Sequence, residues 1–175
     1  MKDLFDISGK VVLVTGGSRG IGEMIAEGFV ANGVRTYISA RKADACDATA
    51  ARLSAMGECI SIPADLCTME GIRELSDAIK ARETQLDVLV NNAGAAWGAP
   101  LEEFPESGWD KVMDINVKSP FFLTQALLPE FFMADYSTGD LDGMRLRSRS
   151  NAKYPAARFE ADSSTKREKA SKAIG

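Results

Sequence analysis

The chain has 175 residues, 45% hydrophobic and 26% charged, with a formal net charge of −4, which suits one globular core and argues against nonspecific nucleic-acid binding. Histidine is absent, which removes His-based triads and most zinc sites. A membrane span is not expected either, because the longest apolar stretch, residues 121–133, is short and broken by Thr124, Gln125, Pro129 and Glu130.

The first residues include Asp3 and Asp6, unlike the apolar run of a signal peptide, and three cysteines (Cys46, Cys59, Cys67) show no CxxC spacing. A cytoplasmic, reducing location is the expectation. The hydrophobic pattern then alternates between β-type runs and helical periods. Val11 to Val14 reads as a buried strand, followed by glycines and a helix with Ile21, Ile25 and Phe29 on one face, ending at Asn32-Gly33. Val34 to Ser39 is the next strand, and Asp44 is placed to cap a helix that turns Cys46, Ala50, Leu53 and Met56 inward before Gly57. Cys59 to Ile62 is a third strand, Ile72, Leu75 and Ile79 mark a helix, and Leu86 to Val90 is a fourth strand. Apolar strands without alternation, separated by helices, predict right-handed crossovers in a parallel sheet, a doubly wound α/β fold.

Thr15-Gly16-Gly17-Ser18-Arg19-Gly20-Ile21-Gly22 lies between the first strand and its helix. Glycines there let the backbone pass close to a pyrophosphate, and the helix N-terminus offers free N–H groups. The alternative is a plain turn. Trp109, Val112, Met113 and Asn116 have the spacing of one helical face, which puts an amide on an apolar stripe. On pattern alone that amide is either bonded structurally near the bend before Pro120 or part of a site. Trp97 and Trp109 read as packing residues, the cysteines as small core residues, and Lys166 to Lys172 as a solvated charge run.

A site for NAD usually has Asp or Glu at the end of the second strand to hold the ribose 2′-hydroxyl, and a carboxylate there repels a 2′-phosphate. Here that strand ends Ile38-Ser39-Ala40-Arg41-Lys42, without an acid, and Arg19 adds a second cation. Each arginine alone could be a solvated charge; together they favour NADP.

The longer first glycine gap after Thr15, Asn91-Asn92-Ala93-Gly94 at the end of the fourth strand, Asp65 after the third, and Asp114-Ile115-Asn116-Val117 occur in order. In these motifs the sequence resembles the short-chain dehydrogenase/reductase family, its β-ketoacyl reductase branch in particular, over about residues 5 to 130. The resemblance implies a Rossmann sheet and NADP as cofactor, with contacts from Thr15, Gly16, Ser18, Arg19, Gly20, Ile21, Gly22, Arg41, Asp65, Leu66, Asn92, Ala93 and Gly94. It further implies that Asn116 is the active-site asparagine, holding a water. The partner it implies is a small carbonyl or alcohol, a 3-oxoacyl thioester among the candidates, with no nucleic acid and no membrane. Intact relatives are expected to be homo-oligomers.

The family also reduces its substrate with a serine and a tyrosine followed four residues later by lysine. No Tyr-x-x-x-Lys occurs in the sequence: Tyr136 is followed at that spacing by Asp140 and Tyr154 by Arg158. Tyr154 therefore reads as coincidence, with Pro155 directly after it. Residues 1–133 hold 44 large apolar residues against five in 134–175, and 12 basic against 19 acidic residues compared with 9 against 6. The expected organisation is a dinucleotide-binding half, 1–133, without the family's three further strands, joined to a low-hydrophobicity tail, 134–175, that cannot offset its ordering entropy. The outcome is either an NADP-dependent oxidoreductase or a catalytically inactive nucleotide-binding fragment.

Overall fold

A computed structural model of the chain describes residues 6–136. The apolar run Val11–Thr15 forms β1, and Arg35–Ser39, Cys59–Ser61 and Val88–Val90 form β2, β3 and β4, since branched side chains favour the extended backbone. Between them lie α1 (Gly20–Ala31), α2 (Ala43–Leu53) and α3 (Met69–Lys80). After β4 come a 3-10 turn at Leu101–Glu103, α4 (Glu106–Met113), a π-helical stretch at Asp114–Lys118 and α5 (Ser119–Tyr136). All strand pairs are parallel, in the order β3-β2-β1-β4. The doubly wound parallel α/β sheet expected from the alternation is thus present in residues 6–136.

Alternate residues of β1 serve opposite faces of the sheet. Leu13 and Tyr37 pack into one core with Ile72, Leu75 and Ile79 of α3 and Leu123 and Leu127 of α5. Val12, Val14 and Ile38 pack on the other face with Ala26 and Val30 of α1 and Cys46, Ala50 and Leu53 of α2. Burying each of these larger side chains stabilises the fold by about 1.5–3 kcal/mol relative to exposure. The cores therefore fix which helix lies over which face.

Three local expectations are corrected. α1 buries Gly22, Ala26 and Val30 most fully, with Ile25 and Phe29 partly buried against the same core as expected, whereas Ile21 is 71% exposed. The small residues let α1 approach the sheet, so the inward stripe runs through them. α2 is preceded by Lys42 with no side-chain cap, Asp44 lies in its first turn, and it ends at Leu53, leaving Met56 exposed. Asp44 there favours the positive end of the helix through its charge instead. Trp109 is 59% exposed rather than packed, whereas Trp97, though partly exposed, packs its ring against Gly108 and under the Lys111 ammonium, 5.3 Å from the ring centre. Cys46 and Cys59 are buried as expected, and Cys67 only partly.

Among the described residues β4 pairs with β1 alone and forms one edge of the sheet, and no helix is long and apolar enough to cross a membrane. The apolar stretch at 121–133 lies within α5, which runs from Ser119 to Tyr136. The expectations for Tyr154 and for the rest of the tail lie outside the described residues.

Candidate functional site

The C-terminal ends of the strands meet on one side of the sheet, where Thr15 aligns with Ser39 and Val14 with Val90. Because β1 has β2 on one flank and β4 on the other, the crevice above it is a topological switch point, where α/β proteins bind ligands. The glycine loop from Gly16 to Arg19 occupies this position, and α1 begins directly after it.

Thr15 is the hub. It is 2% exposed, and its hydroxyl donates to the Val90 carbonyl at 3.1 Å. The same oxygen accepts the backbone N–H groups of Asn92 and Ala93, both at 3.0 Å. In return the Asn92 side-chain amide donates to the carbonyls of Thr15 at 3.0 Å and Gly16 at 3.4 Å. The loop is held from β2 as well, since the Ser39 carbonyl accepts the amides of Gly16 at 2.7 Å and Gly17 at 3.2 Å. These bonds pair polar groups in a partly buried turn, where the Asn92 backbone amide also donates to the Val90 carbonyl at 3.0 Å.

Two glycines are required by this arrangement. Gly16 has φ +68°, and a Cβ on it would stand 2.9 Å from the Asn92 amide nitrogen. A Cβ on Gly22 would collide with the Gly16 carbonyl and the same amide. The first turn of α1 therefore sits directly under the loop. Its N-cap, Arg19, is extended and gives no side-chain hydrogen bond, so the first-turn amides are left to an outside acceptor. That combination has the chemistry that suits a bound anion.

Around it the other sequence-marked residues converge. Arg19 and Arg41 are both exposed, Arg41 in the turn after β2. The Ala64 amide donates to the Ala40 carbonyl at 3.2 Å, which ties the Arg41 turn to the one carrying Asp65 and Leu66. Asp65 accepts the Cys67 amide at 3.0 Å, and its carbonyl accepts the Thr68 hydroxyl at 3.0 Å; Leu66 is buried. Burial, with Asp65 beside it, pushes the Cys67 thiol above its ordinary pKa.

Asn116 lies in the π-helical stretch, and it is exposed rather than on a buried apolar stripe. Its side chain is nonetheless fixed: the oxygen accepts the Ala95 amide at 3.0 Å and the nitrogen donates to the Ala95 carbonyl at 2.7 Å. Thr15 thus holds Asn92 and Ala93, and Asn116 holds Ala95 two residues further along the same segment. Asn91 points elsewhere, its amide donating to the Thr124 hydroxyl at 3.4 Å. The carbonyls of Ser39 and Val90, which hold the loop and Thr15, were not legible as site groups because any residue supplies one.

A family model described as short chain dehydrogenase matches residues 10–141. This chain belongs to the short-chain dehydrogenase family. It is 54% identical over 129 residues to the rhamnolipids biosynthesis 3-oxoacyl-[acyl-carrier-protein] reductase of Pseudomonas aeruginosa, covering 74% of this chain and 50% of that protein. It is 37% identical over 126 residues to a gluconate 5-dehydrogenase of Gluconobacter oxydans, covering 71% and 49%. Among solved structures it resembles the Pseudomonas aeruginosa RhlG/NADP active-site complex with a TM-score of 0.70 and 54% identity, over 74% of this chain and 51% of that one. A metagenomic short-chain oxidoreductase in complex with NADP gives a TM-score of 0.68 at 36% identity, over 71% and 57%. This member of the short-chain dehydrogenase family spans about half the length of the curated relatives it matches.

Proposed function

We propose that the crevice formed by Thr15 to Gly22, Arg41, Asp65-Leu66 and Asn92 to Gly94 binds NADP, as the cofactor half of an oxidoreductase acting on a small carbonyl or alcohol. The observation that carries this reading is the uncapped N-terminus of α1 beneath the Gly16–Gly22 contact, at the switch point of the sheet. When bound, the nicotinamide supplies or receives a hydride. The first-turn amides of α1 would hold the pyrophosphate, and Arg19 and Arg41 would hold the 2′-phosphate. Asn116 would act by keeping the Ala95 loop in place beside the nicotinamide end. A 3-oxoacyl thioester is the substrate class supported by the 54% identity to a 3-oxoacyl reductase. The three free cysteines suit a reducing compartment such as the cytoplasm.

A second reading rests on a different observation: the sequence contains no Tyr-x-x-x-Lys. General acid-base catalysis typically contributes about 10²- to 10⁴-fold, so the 175-residue chain would bind the nucleotide and not turn substrate over. Both readings are tested on the same preparation. NADPH is expected to bind more tightly than NADH, with the difference removed by the double substitution Arg19→Ala, Arg41→Ala, because each charge-assisted contact is worth about 1.5–3 kcal/mol. Equal affinity for the two nucleotides in the unmodified chain overturns the NADP reading. Reduction of an acetoacetyl thioester at a rate abolished by Tyr154→Phe would overturn the second reading and give Tyr154 the role of proton donor.

A further inference from the structure

Thr49 lies in the middle of α2 and is 7% exposed. A threonine inside a helix commonly bonds back to the carbonyl one turn earlier in its own helix. Here the hydroxyl leaves α2 altogether and donates to the Ser18 carbonyl at 3.0 Å. Ser18 is the residue before Arg19, the extended N-cap of α1, and α2 is the helix that begins directly after Arg41 and Lys42. One turn further along α2, Arg52 reaches Glu23 of α1 at 2.7 Å. That outer ion pair is exposed and of little energetic weight. The Thr49 hydroxyl is different in kind, because it stands on a buried residue and removing it takes this partner from a partly buried Ser18 carbonyl.

Resting on the reading of this crevice as an NADP site, we propose that Thr49 is a positioning residue for cofactor choice: its bond to Ser18 fixes the Arg19 arm against the element that carries Arg41. Neither arginine is held by a protein carboxylate among the described salt bridges, so their spacing is set by the backbone on which they stand. That backbone is joined across the gap by Thr49. A 2′-phosphate gains from both cations only if their spacing is kept, whereas the pyrophosphate common to both nucleotides depends on the first-turn amides of α1, which the helix itself also holds. Thr49 therefore affects NADPH more strongly than NADH.

The test uses the full chain with Thr49→Val, which keeps the shape and loses the hydroxyl, and Thr49→Ser, which keeps the hydroxyl. Dissociation constants for NADPH and NADH are measured by calorimetry, and exchange of the Ser18 to Ile21 amides by mass spectrometry. Thr49→Val is expected to weaken NADPH about three- to tenfold, the range of one hydrogen bond, with NADH changed less than twofold and loop exchange faster. Thr49→Ser restores both. A Thr49→Val chain with an unchanged NADPH-to-NADH ratio, or with both affinities falling together, overturns the proposal in favour of a purely structural role. If the unmodified chain itself binds the two nucleotides equally, the NADP reading fails and takes the claim on cofactor choice with it. Exchange at Ser18 to Ile21 then still reports whether Thr49 holds the arm.

Discussion

Thr15 and Asn92 hold each other across the switch point of the sheet: the Thr15 hydroxyl accepts the Asn92 backbone N–H at 3.0 Å, and the Asn92 side chain donates to the Thr15 carbonyl at 3.0 Å. The hydroxyl also serves Ala93 and Val90, so one small side chain satisfies three backbone groups. Thr15→Val keeps the volume and removes a partner from each, although the Asn92 backbone amide keeps its bond to the Val90 carbonyl at 3.0 Å. It should cost about 1–3 kcal/mol of stability in urea unfolding and weaken nucleotide binding, while Thr15→Ser keeps most of both. A Thr15→Val chain as stable as the parent would show that water replaces the hydroxyl.

The two glycines of α1 that can be compared directly should behave in opposite ways. Gly22→Ala drives a methyl into the Gly16 carbonyl, a backbone atom that cannot swing aside, and is expected to cost about 3 kcal/mol or more and to abolish nucleotide binding. At Gly28 an added Cβ meets nothing within 4 Å, so Gly28→Ala should stabilise α1 by about 0.5–1 kcal/mol. Urea midpoints of the two variants check the contrast. Similar losses in both would mean that α1 is not seated under the loop as described.

Acid sensitivity should trace partly to Asp87, at the start of β4. Burial works against its charge, but donation from Lys10 at 2.8 Å, the Val11 amide at 2.9 Å and Gln85 at 3.0 Å outweighs it. The net effect lowers its pKa from the ordinary 3.8. A carboxyl whose folded-state pKa is depressed stabilises the fold fully above its unfolded value, and the contribution is lost as pH falls through the folded one. Asp87→Asn should therefore cost about 1–2 kcal/mol near neutrality, and its deficit should shrink as the pH is taken below the ordinary carboxylate range. A deficit independent of pH would remove Asp87 from the acid limb.

The order of strands and helices was legible because each buried strand is a short apolar run and each crossover helix repeats its apolar residues. Ile72, Leu75 and Ile79 read directly as the inward face of α3 and are all buried. In α1, Ile25 and Phe29 read correctly as core-facing, but Ile21 misled because bulk was taken as the sign of burial, whereas close approach to the Gly16–Asn92 contact selects Gly22. Asn116 was singled out by motif, and the pattern misplaced it. A 3.6-residue stripe assumes an unbroken α-helix, and the stretch from Asp114 to Lys118 closes from the Ser119 amide to the Asp114 carbonyl instead, so Asn116 does not continue the α4 face that carries the exposed Trp109 and Met113. Thr49 gave no signal at all, since its partner is a backbone carbonyl 31 positions away.

The ion cluster at the opposite end of the sheet offers a test that does not involve the crevice. The Tyr37 hydroxyl donates to Glu83 at 2.6 Å, and Arg35 bonds Glu83 at 3.1 Å and Glu58 at 2.7 Å. Burial first, and then the bond to Glu83, push the Tyr37 phenol well above its ordinary pKa. In an ultraviolet titration Tyr37 should stay un-ionised until the fold is lost, and Tyr37→Phe should cost about 0.5–1.5 kcal/mol. Ionisation of all three tyrosines in the folded chain at their ordinary pKa would contradict the cluster.

The central claim is that nucleotide is held at the glycine loop by the N-terminus of α1 and the loops beside it, and hydrogen exchange of the chain with and without NADPH addresses it most directly. The expected footprint is slowed exchange at Gly16 to Gly22, at Arg41, at Asp65-Leu66 and at Asn92 to Gly94, with α2 beyond Thr49 and the middle of α3 unchanged. Saturating NADPH that leaves Gly16 to Gly22 unprotected, or protects only residues away from this edge of the sheet, would contradict the account.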